Sequence, residues 1–202
     1  MYTPKIFNNT NTEEVKTFIR KNSFGILVSQ VNNKLWATHI PLELTEDDIF
    51  LEGHISKANP QWRNFNAGDE VMAIFQGAHT YISSSWYDHE NVPTWNYMAV
   101  HVYGTVEIIE GEQLMNSLRR IVDKYEQRSV HPVSMAKMSP EFLQREIRGI
   151  VGFQIRITNI EATYKLSQNR DAVNHKAIIS ELEKREDENS HAIAGAMSSA
   201  KK

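Results

Sequence analysis

Residues 24–44 read FGILVSQVNNKLWATHIPLEL, and the pattern in that stretch decides the fold. Residues 24–30 are rich in β-formers and read as a strand. Asn32-Asn33 reads as a tight turn, because asparagine tolerates the left-handed backbone of two-residue hairpin loops. From Lys34 to Leu44 the chain alternates. Trp36, Thr38, Ile40, Leu42 and Leu44 share one side, and Leu35, Ala37 and His39 share the other. Pro41 cannot donate a ladder hydrogen bond, so it marks an edge, a bulge or a neighbouring ligand. Two strands across such a turn form an antiparallel hairpin.

The same grammar continues downstream. Residues 49–55 predict a third strand, 70–76 and 79–85 two more, 97–109 a long one and 150–157 another. Helices interrupt this series. Thr10 with Glu13 predicts a capping box for a helix over 11–21, with Val15, Phe18 and Ile19 on one face. Asn59-Pro60 predicts a short helix that stops near Gly68. Leu114, Leu118, Ile121, Val122 and Tyr125 mark an amphipathic helix, and Ser139-Pro140 starts another. After residue 170 the chain is polar and helix-prone, and 195–202 is expected to fray. The expected fold class is mainly β with α additions: an antiparallel barrel with flanking helices. Residues 1–170, with a helical insertion at about 111–148, form the expected main domain, and 171–202 a C-terminal helix and tail.

Composition narrows the function classes. The chain has 202 residues, no cysteine and a net charge of −3, so disulfides, thiolate metal sites and a cysteine nucleophile are excluded. No apolar run approaches the length of a membrane span, and the N-terminus lacks a signal peptide's apolar core, so a cytoplasmic address and no membrane partner are expected. Phosphate-binding glycine loops, histidine metal motifs and a GxSxG elbow are missing from the sequence, so no metal site and no catalytic residue is assigned. Residues 115–148 run against the overall charge, with a local excess of three positive charges. That is commonly a solvated helix face, yet it is the best candidate surface for DNA.

Four segments could hold a ligand. Gly53-His54-Ile55-Ser56-Lys57-Ala58-Asn59-Pro60 leaves a strand and enters a helix. His54 and Ser56 fall on one side of the extended chain and Lys57 adds a full charge, a set that suits a phosphate. Thr38-His39-Ile40-Pro41 offers backbone groups to a planar ligand edge. Trp95 and Asn96 place a flat ring beside an amide, and in Lys165 to Arg170 two cations flank Ser167, Gln168 and Asn169. Taken singly, each reads more readily as ordinary structure: a polar turn, an edge strand, core packing under a loop, a capped helix start.

In order, these segments resemble the PaiB-type FMN-binding negative transcriptional regulators, a branch of the pyridoxamine-phosphate-oxidase-like split barrels. The likeness also runs through Gln61-Trp62, Phe75-Gln76-Gly77, Tyr81 to Tyr87, Val100 to Gly104 and Gly149 to Phe153, and covers residues 1 to 170. It implies an FMN-binding split β-barrel and a homodimer with FMN lodged between subunits. Thr38, His39, Ile40 and Pro41 would line the isoalloxazine. His54, Ser56 and Lys57 would hold the phosphate with Asn59 nearby. Trp95 and Asn96 would reach the flavin from the partner chain, and Lys165, Ser167, Gln168 and Arg170 would close the site. The family name implies a regulator. The fold's relatives keep open an FMN-dependent oxidoreductase, in which Lys165 or Arg170 favours the reduced flavin, and a flavin or haem carrier.

Overall fold

A computed structural model describes residues 1–65 and 68–200. Seven strands form one antiparallel sheet in the order β2-β1-β5-β6-β7-β4-β3. They are β1 (Phe24–Val31), β2 (Lys34–Pro41), β3 (Glu43–Leu44), β4 (Phe50–Ser56), β5 (Glu70–Ile82), β6 (Thr94–Ile109) and β7 (Ile150–Lys165). The helices are α1 (Thr12–Lys21), α2 (Gly111–Glu126), α3 (Pro140–Ile147), α4 (Ala172–Glu183) and α5 (Glu188–Ala200). The chain forms two compact units, and β5, β6 and β7 each contribute residues to both.

One unit comprises Ile19–Ile74 and Val102–Ile160. The opening hairpin is as the sequence predicts: β1 and β2 pair from Phe24 opposite Pro41 to Val31 opposite Lys34, with Asn32 and Asn33 at φ of 51° and 60°. The two end strands of the sheet, β2 and β3, are consecutive in the chain with only Leu42 between them. Pro41 sits at that corner, and the Leu42 N–H leaves the ladder to reach the Ser23 carbonyl at 2.8 Å. Leu27, Leu42, Leu51, Phe153 and Ile155 are fully buried here, each stabilising the fold by about 1.5–3 kcal/mol. The side of β4 that carries Glu52 and His54 faces α2. Arg120 pairs with Glu52, and Gly152, opposite His54 in register, has no room for a Cβ beside Leu114.

The other unit comprises Met1–Phe18, Phe75–His101 and the chain from Glu161. Asn11, not Thr10, caps α1, its Oδ1 accepting from the Glu14 N–H at 3.2 Å, which moves the helix start to Thr12. Gly77 does not divide two strands as the sequence suggests, because β5 runs straight through it. A Cβ at Gly77 would lie 2.6 Å from the Phe18 ring, so this glycine permits close packing rather than a turn. Asp171 caps α4 by accepting from the Val173 and Asn174 N–H groups, both at 2.9 Å. The tail, expected to fray from residue 195, is helical as far as Ala200. Ile193, Ala194 and Met197 of α5 are buried, and Ser190 bonds Thr80 at 3.0 Å. Residues 66–67, within the expected Asn59–Gly68 helix, and the final two of the expected fraying tail lie outside the described residues.

Candidate functional site

The candidate residues fall into two clusters, one in each unit. In the first, the turn after β4 is tied to β2 through side chains alone. Asn59 caps a short 3-10 turn over Pro60–Asn64, its Oδ1 accepting from the Gln61 N–H at 3.0 Å. Its Nδ2 donates to Thr38 Oγ1 at 2.9 Å, and Thr38 donates onward to Gln61 Oε1 at 2.6 Å. Gln61 Nε2 completes the set, donating to Ser29 Oγ at 2.9 Å and to the Leu27 carbonyl at 3.3 Å. Gln61 is fully buried and was not anticipated from sequence. Its signals are its place beside the Asn-Pro cap and within the Gln61-Trp62 stretch of the family likeness, since glutamine is a residue type usually found outside.

His39 points away from this network, exposed and stacked on Phe24 with ring centroids 6.5 Å apart, while Ile40 is buried. Pro41 approaches β4. A Cβ at Gly53 would lie 3.1 Å from the Pro41 carbonyl oxygen and 3.0 Å from Leu42, so the Ile40-Pro41 and Gly53-His54 segments meet because residue 53 has no side chain.

The end of β4 holds the phosphate candidates. His54 is half-buried and its Nδ1 has no hydrogen-bond partner. Burial pushes its pKa below the ordinary histidine value, so the ring is neutral near pH 7. Ser56 Oγ accepts from the Ala58 N–H at 3.3 Å, shaping the bend. The backbone of Lys57 is engaged on both sides: its N–H reaches the Gly149 carbonyl at 2.8 Å and its carbonyl accepts from Trp62 Nε1 at 2.9 Å. Among the described residues its ammonium forms no ion pair. The unpartnered buried His54 nitrogen and the Lys57 ammonium, three residues on, are each groups that a phosphate's acceptors suit.

The second cluster lies in the other unit. Trp95 is half exposed and rests against Tyr81 and His79, with centroids 6.0 and 6.2 Å away. Asn96 is fully buried, and its amide is committed inside its own chain, donating to Ser167 Oγ at 2.9 Å and to Met197 Sδ at 3.5 Å. Whatever it does for a ligand is therefore indirect. Ser167 has a left-handed φ of 59°, and its hydroxyl also donates to Asn96 Oδ1 at 3.2 Å, so Asn96 clasps a strained turn. Gln168 is likewise engaged, with Leu166 N–H and the Tyr164 carbonyl. Two cations are presented by this turn. Lys165 bonds Thr94, and burial together with Arg170 lowers its pKa. Arg170 lies over the Tyr87 ring, 5.0 Å from its centroid.

The basic excess over residues 115–148 is largely neutralised. Arg120 pairs with Glu52, Lys124 with Glu43, and Arg145 with Glu146. Glu43 and Glu52 lie outside the segment, so counting them reduces the excess of three to one.

The seven-stranded antiparallel sheet with its corner at Pro41 is that of a split barrel. Residues 1–159 match the family described as "Putative FMN-binding domain", and the chain belongs to that family. It is 45% identical over 199 residues to the protease synthase and sporulation protein PAI 2 of Bacillus subtilis, covering 98% of this chain and 96% of that protein. Solved structures share the fold at low identity. The FAD and haem binding protein of Mycobacterium smegmatis superposes with a TM-score of 0.61 at 14% identity, covering 84% of this chain and 78% of that one. The flavocytochrome Anf3 of Azotobacter vinelandii gives 0.58 at 16%, covering 78% and 69%.

Proposed function

We propose that the protein is a cytoplasmic homodimer that binds FMN and acts as a negative regulator of transcription of the PaiB type. The observation that carries the reading is the orphaned His54 Nδ1 on the strand that leads into Lys57, an ammonium with no ion pair among the described residues, in a chain of an FMN-binding family. In this reading Thr38 to Pro41 line the ring system, with Thr38 held by Asn59 and Gln61. His54, Ser56 and Lys57 hold the phosphate. Trp95 reaches the flavin from the partner chain, and Lys165 and Arg170, presented by the turn that Asn96, Ser167 and Gln168 fix, close the site in the dimer. Bound FMN supplies redox chemistry and a planar chromophore, and these residues bind and orient it. The test is the visible spectrum of the purified protein, with mass spectrometry of what denaturation releases. FMN is expected, and a protein that neither carries it nor takes it up on titration would refute the reading.

A second reading is an FMN-dependent oxidoreductase. It is favoured by Lys165, a partly buried cation whose pKa is lowered and which suits the flavin's electron-accepting edge. Turnover with a nicotinamide donor would support it. One solved relative binds FAD and haem and another is a flavocytochrome, so a Soret band would instead indicate a haem module.

A further inference from the structure

Lys57 and Arg148 leave the same end of one antiparallel strand pair. Ser56, the last residue of β4, stands opposite Ile150, the first of β7, and the next rung is closed by the Lys57 N–H on the Gly149 carbonyl at 2.8 Å. Continuing the register brings Arg148 to the neighbourhood of Lys57 and Ala58. Both cations line one cavity of about 410 Å³, walled by Trp62, Ile109 and Leu114. Glu110 is the single carboxylate there, and neither Lys57 nor Arg148 forms an ion pair with it or any other acid among the described residues. On α2 and α3, Arg120, Lys124 and Arg145 differ in that each has an acidic partner, while Arg119 bonds the Asn116 amide.

We propose that Arg148 is the second cation of the phosphate site and, with Lys57, selects a phosphomonoester dianion over the uncharged flavin. The inference rests on the flavin reading of this site and adds to it a residue that no motif marks. A guanidinium offers several donors in one plane and binds phosphate oxygens pairwise, so it complements the single ammonium of Lys57. Arg148 also follows the last turn of α3, where a cation favours the helix end whether or not a ligand is present. The ratio of FMN to riboflavin affinity separates the two roles, because support of a helix end acts equally on both flavins.

The experiment titrates wild-type, Arg148→Ala and Arg148→Lys apo-protein with FMN and with riboflavin, read by flavin fluorescence. Arg148→Ala is expected to weaken FMN between roughly 10- and 100-fold, as for loss of a charged hydrogen bond, and to leave riboflavin unchanged. Arg148→Lys should recover part of the loss. Unchanged FMN affinity, or equal weakening of both flavins, would overturn the proposal. If wild-type protein binds neither flavin, a titration with inorganic phosphate followed by tryptophan fluorescence decides. Binding abolished in Arg148→Ala keeps the anion site and removes only the flavin reading, whereas no binding removes both.

Discussion

Asn59 Nδ2 donates to Thr38 Oγ1 at 2.9 Å, joining the turn that ends β4 to the middle of β2. The bond matters because Thr38 passes it on to Gln61, whose amide reaches β1 through Ser29 and Leu27. Three strands are thereby fixed around residues that no local propensity would place together. Removing one member leaves the others buried without partners.

Gln61→Ala is therefore expected to destabilise the protein by about 2–4 kcal/mol, since a buried group left unsatisfied costs about 1–3 kcal/mol and three partners lose a bond. Thr38→Val should cost less, about 1–2 kcal/mol. Urea unfolding of the apo-protein measures both. A Gln61→Ala midpoint equal to wild type would show the network to be dispensable.

The binding role of Lys57 gives a second expectation. Lys57→Ala should weaken FMN by roughly 10- to 100-fold, the worth of a charge-assisted phosphate bond, and leave riboflavin nearly unaffected. Equal wild-type affinity for FMN and riboflavin would contradict a phosphate site at the end of β4. In the dimer reading, sedimentation should give twice the 23.3 kDa chain mass.

Acidity should loosen the fold through its histidines. Burial holds His54 and His101 below the usual value of 6.5, so the unfolded chain takes up protons that the folded one refuses. Their contribution is fully present above pH 6.5 and is lost as pH falls below it. The depressed carboxyls Asp47, Asp88, Asp171 and Asp187 act in a separate window, below the ordinary aspartate value of 3.8. Urea midpoints at pH 7.5 and 5.5 test this, and His54→Gln should flatten part of the difference. Phosphate at His54 would raise its pKa, so FMN binding is expected to take up protons near neutral pH, measurable by calorimetry in two buffers.

The basic helix now carries a different expectation. Arg120→Ala should lower stability by leaving the buried Glu52 carboxylate unpaired, and should scarcely alter any affinity for DNA. With the excess reduced to one positive charge, binding to random duplex should be weak and its salt dependence shallow. Tight, steeply salt-dependent binding that is lost in Arg120→Ala would restore the helix as a DNA surface.

The sequence made the hairpin, the strand order of polar and apolar positions and the Asn59-Pro60 cap readable, because each rests on neighbours within a few residues. What it hid was set by distant partners. Gly77 looked like a break because Phe18, 59 residues away, is what it accommodates. Residues 158–165 carry mixed polarity, so the second half of β7 was missed. Arg120 and Lys124 counted as free charge because Glu52 and Glu43 come from other strands. In the candidate site the side chains with unusual residue types were legible. Gln61 was not, nor the inward commitment of Asn96, because burial of an amide depends on what folds over it.

The single residue between β2 and β3 bears on where the chain can be cut. Because Leu42 alone carries the sheet from its last strand to its first, a circular permutant opened there would have no covalent seam. β2 and β3, the two end strands, would then be joined by no peptide bond, and their outer N–H and carbonyl groups would offer a template for stacking against other copies. New termini in the Asn32-Asn33 turn would leave the seam whole. The two permutants would thus contain the same residues and differ in fate, one prone to fibres and the other folding as before.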